Sequence, residues 1–164
     1  MLRLNRMTDY AILVLGALHQ RPEGQVSSAE LASSLSLNQT TIAKVIKALS
    51  SAELIVTTRG VNGGCQLAVD VSKISVAAVV EAIEGPIALT ACVEGADDPC
   101  AVRNGCFMGG NWNRVNSAIK SALETVTLAE LFDPEQMFGA AVPAAQGPAE
   151  SLAQNEGVFH GRNS

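Results

Sequence analysis

A mainly α-helical fold with one small β wing is what the sequence predicts, and three observations carry that prediction. Apolar residues recur at helical spacing in four stretches between Thr8 and Ile83. Two short runs, Leu54-Ile55-Val56-Thr57-Thr58 and Gln66-Leu67-Ala68-Val69, flank Asn62-Gly63, a strong hairpin-turn signal. The longest helical stripe then runs from Trp112 to Val126. Only 4% of residues are aromatic although 48% are apolar, so the core is built from Ala, Val, Leu and Ile, a balance that favours helices.

A chain of 164 residues can bury one core and a small second unit. No run approaches the roughly 18 apolar residues of a membrane span, and Met1 to Arg6 lack the apolar centre of a signal peptide. A cytoplasmic location is the expectation. In a reducing compartment, cysteines are more often metal ligands or redox sensors than structural disulfides.

Thr8 is the expected cap of a first helix through Tyr10, Ile12, Leu13, Leu15, Gly16 and Leu18, stopped by Arg21-Pro22-Glu23-Gly24. Ser27 with Glu30 has the capping-box form ahead of Leu31, Ala32 and Leu35. After a turn at Ser36-Leu37-Asn38, Asn38 caps a third helix. Its apolar face is Ile42, Val45, Ile46 and Leu49, and its other face is Gln39, Thr40, Ala43, Lys44 and Lys47. Two short helices joined by so tight a turn form a helix-turn-helix, and a hairpin directly after the second helix is a wing.

The net charge of -5 is unevenly spread: residues 1–75 carry about +2 and the remainder about -7. The basic half is the candidate DNA reader, and the acidic half limits non-specific attraction to the polyanion. Lys44, Lys47 and Ser28 are candidates for phosphate contacts, Gln39 and Thr40 for base edges. At the wing tip Arg59, followed by Gly60, is either a solvated turn residue or a cation for the minor groove.

Ser75 caps a fourth helix through Val76, Val79, Val80 and Ile83, ended by Gly85-Pro86. Next come Cys92, Cys100 and Cys106, in a Gly-, Asp- and Asn-rich segment that suits neither helix nor strand. Wide, irregular thiol spacing suits an iron-sulfur cluster better than structural zinc, which favours tight ligand pairs. Zinc, free thiols and a disulfide stay open, and no fourth Cys or His lies within the loop. In the last helical stripe Trp112, Val115, Ile119, Ala122, Leu123 and Val126 are near heptad spacing. Such a stripe is either core or a dimerisation helix that sets two recognition helices one DNA turn apart. Thr127 and Glu130 begin a short terminal helix, and past about Phe138 the Ala-, Pro-, Gly-rich composition predicts a disordered tail.

The run Met1-Leu2-Arg3-Leu4, Thr8-Asp9-Tyr10-Ala11, Arg59-Gly60-Val61-Asn62-Gly63-Gly64 and then the three cysteines resembles a known family. It is that of the winged-helix regulators that include the iron-sulfur cluster regulator IscR and the nitric-oxide sensor NsrR, and the likeness covers residues 1 to about 132. Ile87-Ala88-Leu89-Thr90-Ala91-Cys92 and Gly110-Asn111-Trp112-Asn113-Arg114-Val115-Asn116 are most similar to the regulators of the SUF iron-sulfur assembly operon. The resemblance implies a homodimer on a palindromic operator in double-stranded DNA, a cluster held by Cys92, Cys100 and Cys106, and transcription that follows cluster state. Two departures stand out. Cys65 occupies a wing position where most members have an aromatic residue, and its plainer reading is a small apolar packing residue. Gly109 replaces a ligating His, whereas Asp9 matches the carboxylate that NsrR-like members contribute from the partner subunit. Asp9 is otherwise an acid at a helix N-terminus, and Glu94, Asp98, water or a small thiol are the other candidates for fourth ligand.

The expected organisation is a winged helix-turn-helix domain at 1–75, a connecting helix and cysteine loop at 76–109, a dimerisation helix with a short terminal helix at 110–132, and a tail at 133–164. Catalysis is not expected, since no Ser, His and Asp arrangement or phosphate loop is present. The alternatives are a DNA-binding regulator with zinc or bare redox thiols at the loop, and an iron-sulfur carrier that makes no use of the wing.

Overall fold

The computed structural model describes residues 4–60, 63–93, 95–96, 100–101, 106 and 109–133. Its elements are α1 (Arg6–His19), α2 (Ser28–Ser34), α3 (Gln39–Ser51), β1 (Ile55–Thr58), β2 (Gly64–Leu67), a 3-10 turn (Val71–Lys73), α4 (Val76–Glu84), α5 (Gly109–Thr125) and α6 (Leu128–Phe132). The mainly helical architecture with a small wing is as expected. Asn62 of the hairpin signal and the tail beyond Asp133 lie outside the described residues.

Helix starts follow local side-chain chemistry. Ser27 and Glu30 form the expected capping box on α2, Asn38 Oδ1 accepts from the Thr41 N–H at 2.7 Å, and Ser75 Oγ accepts from the Ala78 N–H at 3.2 Å. Thr127 and Glu130 repeat the capping box on α6. Each such cap satisfies backbone donors that helix geometry leaves unpaired. Thr8 departs from expectation. Asn5 caps α1 by accepting from the Met7 N–H, and Thr8 lies inside the helix, fully buried, with its hydroxyl turned to Glu84.

One core is shared by α1, α2, α3, the wing base, α4 and α6. Ala11, Val14, Leu15 and Leu18 of α1 meet Leu31 of α2, Ile42, Val45 and Leu49 of α3, Ile55 of β1, Val79 of α4 and Leu128 of α6. Fully burying each Leu, Val or Ile contributes about 1.5 to 3 kcal/mol. The chain after α5 is stitched back to this core: the Val76 N–H donates to the Val126 carbonyl and the Leu128 N–H to the Ile74 carbonyl, both at 2.9 Å. Phe132 lies over Gly16, where an added Cβ would stand 3.2 Å from its ring, and stacks on His19 with centroids 5.9 Å apart. Gly16 is therefore the residue that gives this ring its seat.

Helix α5 packs on α4, where Lys120 Nζ pairs with Glu81 Oε1 at 2.7 Å. Much of its apolar stripe is uncovered: Val115, Ala122 and Val126 are exposed and Trp112, Ile119 and Leu123 half-buried. Among the described residues no helix is long and apolar enough to cross a membrane.

Candidate nucleic-acid interface and thiol loop

The tight turn between α2 and α3 is set by Ser36, in the left-handed region at φ 54°, and by the Leu37 N–H donating to the Ala32 carbonyl. It fixes α3 so that Ile42, Val45 and Leu49 are buried while Gln39, Thr40, Ala43, Lys44 and Lys47 are exposed, as the periodicity predicts. Ser28, at the first turn of α2, lines a concavity of about 400 Å³ with Ala43, Ile46, Lys47 and Thr57. A neighbouring hollow of about 270 Å³ joins Ser28 to Thr58, Gly60 and Gly63 of the wing. The start of α2, the outer face of α3 and the wing thus form one continuous surface, and Arg59 is exposed beside it.

In the wing, Ile55 pairs with Leu67 and Thr58 with Gly64 in antiparallel register. Strand β2 is displaced from its expected place, beginning at Gly64 and ending at Leu67, with Val69 left exposed. The tight tip accounts for the displacement. Gly60 has φ 120° and its carbonyl accepts from the Gly63 N–H at 2.9 Å, while any Cβ on Gly63 would collide with the Thr58 carbonyl. Pairing therefore resumes at once.

Two residues that sequence reasoning missed hold the wing to the body. Gln25 Nε2 donates to Thr58 Oγ1 at 2.6 Å, and Val26 exchanges backbone hydrogen bonds with Cys65 at 2.9 and 3.0 Å. Their only sequence signal is one apolar residue between two polar ones, too short to read as a strand. Cys65 itself is buried, its thiol donates to the Val26 carbonyl at 3.3 Å, and burial pushes its pKa up. It is a core residue of the wing base, in keeping with its plainer reading.

The cysteine loop leaves α4 through Gly85, at φ 83°, and Pro86. Asn116 of α5, largely buried, donates from Nδ2 to the Ile87 carbonyl at 2.8 Å and accepts at Oδ1 from the Leu89 N–H at 3.0 Å. A polar residue inside an otherwise apolar helix face was the available hint of this anchor. Beyond it Val93 is buried, the Cys92 N–H donates to Thr90 Oγ1 at 3.3 Å, and the Cys100 N–H donates to the Ala91 carbonyl at 2.9 Å.

Cys92, Cys100 and Cys106 are free and half-buried. A hydrogen bond with the Cys100 thiol raises the Cys92 pKa, with burial and the nearby Cys100 and Cys106 adding to the effect. Among the described residues no three His, Cys, Asp or Glu side chains converge closely enough to hold a single metal ion. Asp9 is exposed on the first turn of α1 and belongs to no such group, and Glu94 and Asp98 lie outside the described residues. Three soft thiol donors on one loop are ligand chemistry that iron-sulfur clusters and zinc both use. The donor set fits an iron-sulfur cluster on that chemistry.

A helix-turn-helix with a wing and a cationic recognition face defines a DNA-binding transcription regulator. A family model described as "Rrf2: Iron-dependent Transcriptional regulator" matches residues 4–134. The chain belongs to the Rrf2 family, which comprises transcriptional regulators and not enzymes. It is similar to the HTH-type transcriptional regulator NsrR of Oceanobacillus iheyensis, with 29% identity over 136 residues, 82% of this chain and 92% of that one. The NsrR of Halalkalibacterium halodurans is 29% identical over 135 residues, again 82% and 92%. Among solved structures, T. potens IscR matches with a TM-score of 0.58 at 25% identity, covering 86% of this chain and 94% of that one. CymR of B. subtilis, the global cysteine regulator, shares the fold with a TM-score of 0.60 at 24% identity, covering 80% and 97%.

Proposed function

We propose that the chain acts as a cytoplasmic homodimer that binds a palindromic operator and sets transcription by the state of an iron-sulfur cluster, with SUF assembly genes as its target. The observation that carries the sensing role is that Cys92, Cys100 and Cys106 are free, half-buried thiols on one loop whose root is pinned to α5 by Asn116. Cys92, Cys100 and Cys106 would hold the cluster, and Asp9 of the partner subunit would complete the ligand set. Bound there, the cluster supplies iron-thiolate bonds that oxidants and nitric oxide break. Residues 1–75 would read DNA, 76–109 sense, and 110–132 pair the protomers through the uncovered stripe of α5. Lys44, Lys47 and Ser28 would take phosphates, Gln39 and Thr40 base edges, and Arg59 with Gly60 the minor groove.

The test is anaerobic purification with a visible spectrum and iron and sulfide counts, followed by operator binding of iron-loaded and iron-stripped protein. Wild type should be coloured, Cys92→Ala, Cys100→Ala and Cys106→Ala should lose iron, and Asp9→Ala should retain it less firmly. Equal operator affinity of loaded and stripped wild type would remove the sensing role. A second reading, a cluster-free thiol switch, is favoured by the free state of Cys92 and Cys100 on a loop where the Cys100 N–H bonds the Ala91 carbonyl, next to Cys92 in the chain. Colourless protein whose operator affinity follows a Cys92–Cys100 disulfide would establish that reading instead.

A further inference from the structure

The start of α1 and the end of α4 meet at one carboxylate. Glu84 Oε1 accepts from the Asn5 backbone N–H at 2.8 Å and from the hydroxyl of the fully buried Thr8 at 2.5 Å. In a capping box the third helical residue returns a carboxylate to the N-cap N–H, as Glu30 does in α2 and Glu130 in α6. In α1 that third position is Thr8, and the carboxylate comes from a residue 76 positions later in the chain. The carboxylate that completes the Asn5 cap of the first helix is supplied by the fourth.

That placement is unfavourable for α4 alone. Glu84 is its last residue, where the carbonyl-rich, negative end of the helix repels a carboxylate. The same charge is stabilising at the N–H-rich start of α1. Its position therefore reflects a tie between helices and not the needs of its own.

The chain between Glu84 and Cys92 has little slack. After Gly85, the Ile87 carbonyl and Leu89 N–H are held by Asn116 of α5, and the Cys92 N–H is held by Thr90. On the other side of the tie, Thr8 precedes Asp9, and α1 packs directly on α3. A displacement of the loop root can pass through the direct packing of α4 on α3, through Asn116 to α5, and through Glu84 to the first turn of α1, where the link is a single hydrogen-bonded carboxylate that a point substitution can cut.

Resting on the cluster reading for what disturbs the loop, we infer that Glu84 is the positioning residue that carries the state of the thiol loop to the DNA-reading head. Its carboxylate makes the first turn of α1 and the root of the loop move as one body. Thr8→Val removes the donor hydroxyl at nearly constant shape, Thr8→Ser retains it, and Glu84→Ala removes the acceptor.

The experiment has two arms on the full chain. In the first, hydrogen exchange of iron-stripped protein should rise at least about tenfold in Thr8→Val, the effect of losing one hydrogen bond to a charged group. The rise should appear both in residues 4–10 and in residues 84–92, and Thr8→Ser, which keeps the hydroxyl, should stay at the wild-type level. In the second, the ratio of operator affinities between iron-loaded and iron-stripped protein should collapse severalfold toward one in Thr8→Val and in Glu84→Ala, with the visible spectrum of the loaded form unchanged. Exchange that rises only in residues 4–10, with the affinity ratio kept at its wild-type value, would reduce Glu84 to a cap and overturn the inference. A wild-type affinity ratio of one sinks the cluster reading instead, and the exchange arm then decides alone whether α1 and the loop root are joined.

Discussion

Gln25 Nε2 donates to Thr58 Oγ1 at 2.6 Å, so the connector ahead of α2 grips the last residue of β1, immediately before Arg59. Together with the Val26–Cys65 bridge, this fixes the wing against the helix-turn-helix before any DNA is present. A side chain already in place loses less entropy on binding than one on a loose hairpin.

The wing contact should therefore be measurable. Arg59→Ala is expected to weaken operator binding by about 1 to 3 kcal/mol, the range for one lost specific contact. Gln25→Ala, which touches only the brace, should cost less, about 0.5 to 1.5 kcal/mol, the worth of an ordinary hydrogen bond. Fluorescence anisotropy against a labelled operator checks both, and an Arg59→Ala protein with wild-type affinity would leave the wing without a role in DNA binding.

Asn116 is the largely buried polar anchor of the loop root. Asn116→Leu keeps the volume but leaves the Ile87 carbonyl and Leu89 N–H without their partner, which should destabilise the protein by about 1 to 3 kcal/mol. Urea denaturation of the iron-stripped form measures it. Unchanged stability would mean that the loop root finds other partners.

The four thiols should divide by accessibility. Cys65 is enclosed in the wing base, which hides its sulfur, whereas Cys92, Cys100 and Cys106 are only half-buried, and alkylation needs access to the sulfur. Brief alkylation of folded, iron-stripped protein followed by peptide mass mapping should label Cys92, Cys100 and Cys106 and spare Cys65. Labelling of Cys65 at the same rate as the loop thiols would contradict a closed wing base.

Acid should loosen α2 and α6 by one mechanism. Hydrogen bonds from Ser27 hold the Glu30 pKa below its ordinary 4.5, and those from Thr127 do the same for Glu130. A depressed carboxylate stabilises the fold above the unfolded pKa, and that contribution fades as pH falls through the folded value. Thermal melts of Glu30→Gln and Glu130→Gln should therefore depend less on pH below about 4.5 than those of wild type. Parallel acid limbs in all three proteins would count against both boxes.

What the sequence made legible was local chemistry. Ser27 with Glu30, Asn38, Ser75, and Thr127 with Glu130 were readable as helix starts because donor and acceptor lie within four residues of each other. The exposed row Gln39, Thr40, Lys44 and Lys47 followed from the helical period alone. Thr8 was misread as a cap because its true partner, Glu84, is close only in space. Gln25, Val26 and Asn116 escaped for the same reason, each acting on backbone or side chains far along the chain. The thiol loop was visible as composition and spacing, but spacing does not say how the loop folds back, and the bond from the Cys100 N–H to the Ala91 carbonyl had to come from the structure.

The return of α6 to the first core, with Leu128 enclosed and Phe132 seated on Gly16 and His19, makes α5 an excursion that leaves one globule and comes back to it. The long helix is thereby tethered to the same body at its middle, through Asn116 and the loop root, and just past its C-terminal end, through the Ser75–Thr127 bridge. A protomer truncated just after α5 would forfeit part of the floor beneath its own reading head, and would be expected to lose operator binding even with every DNA-facing side chain intact.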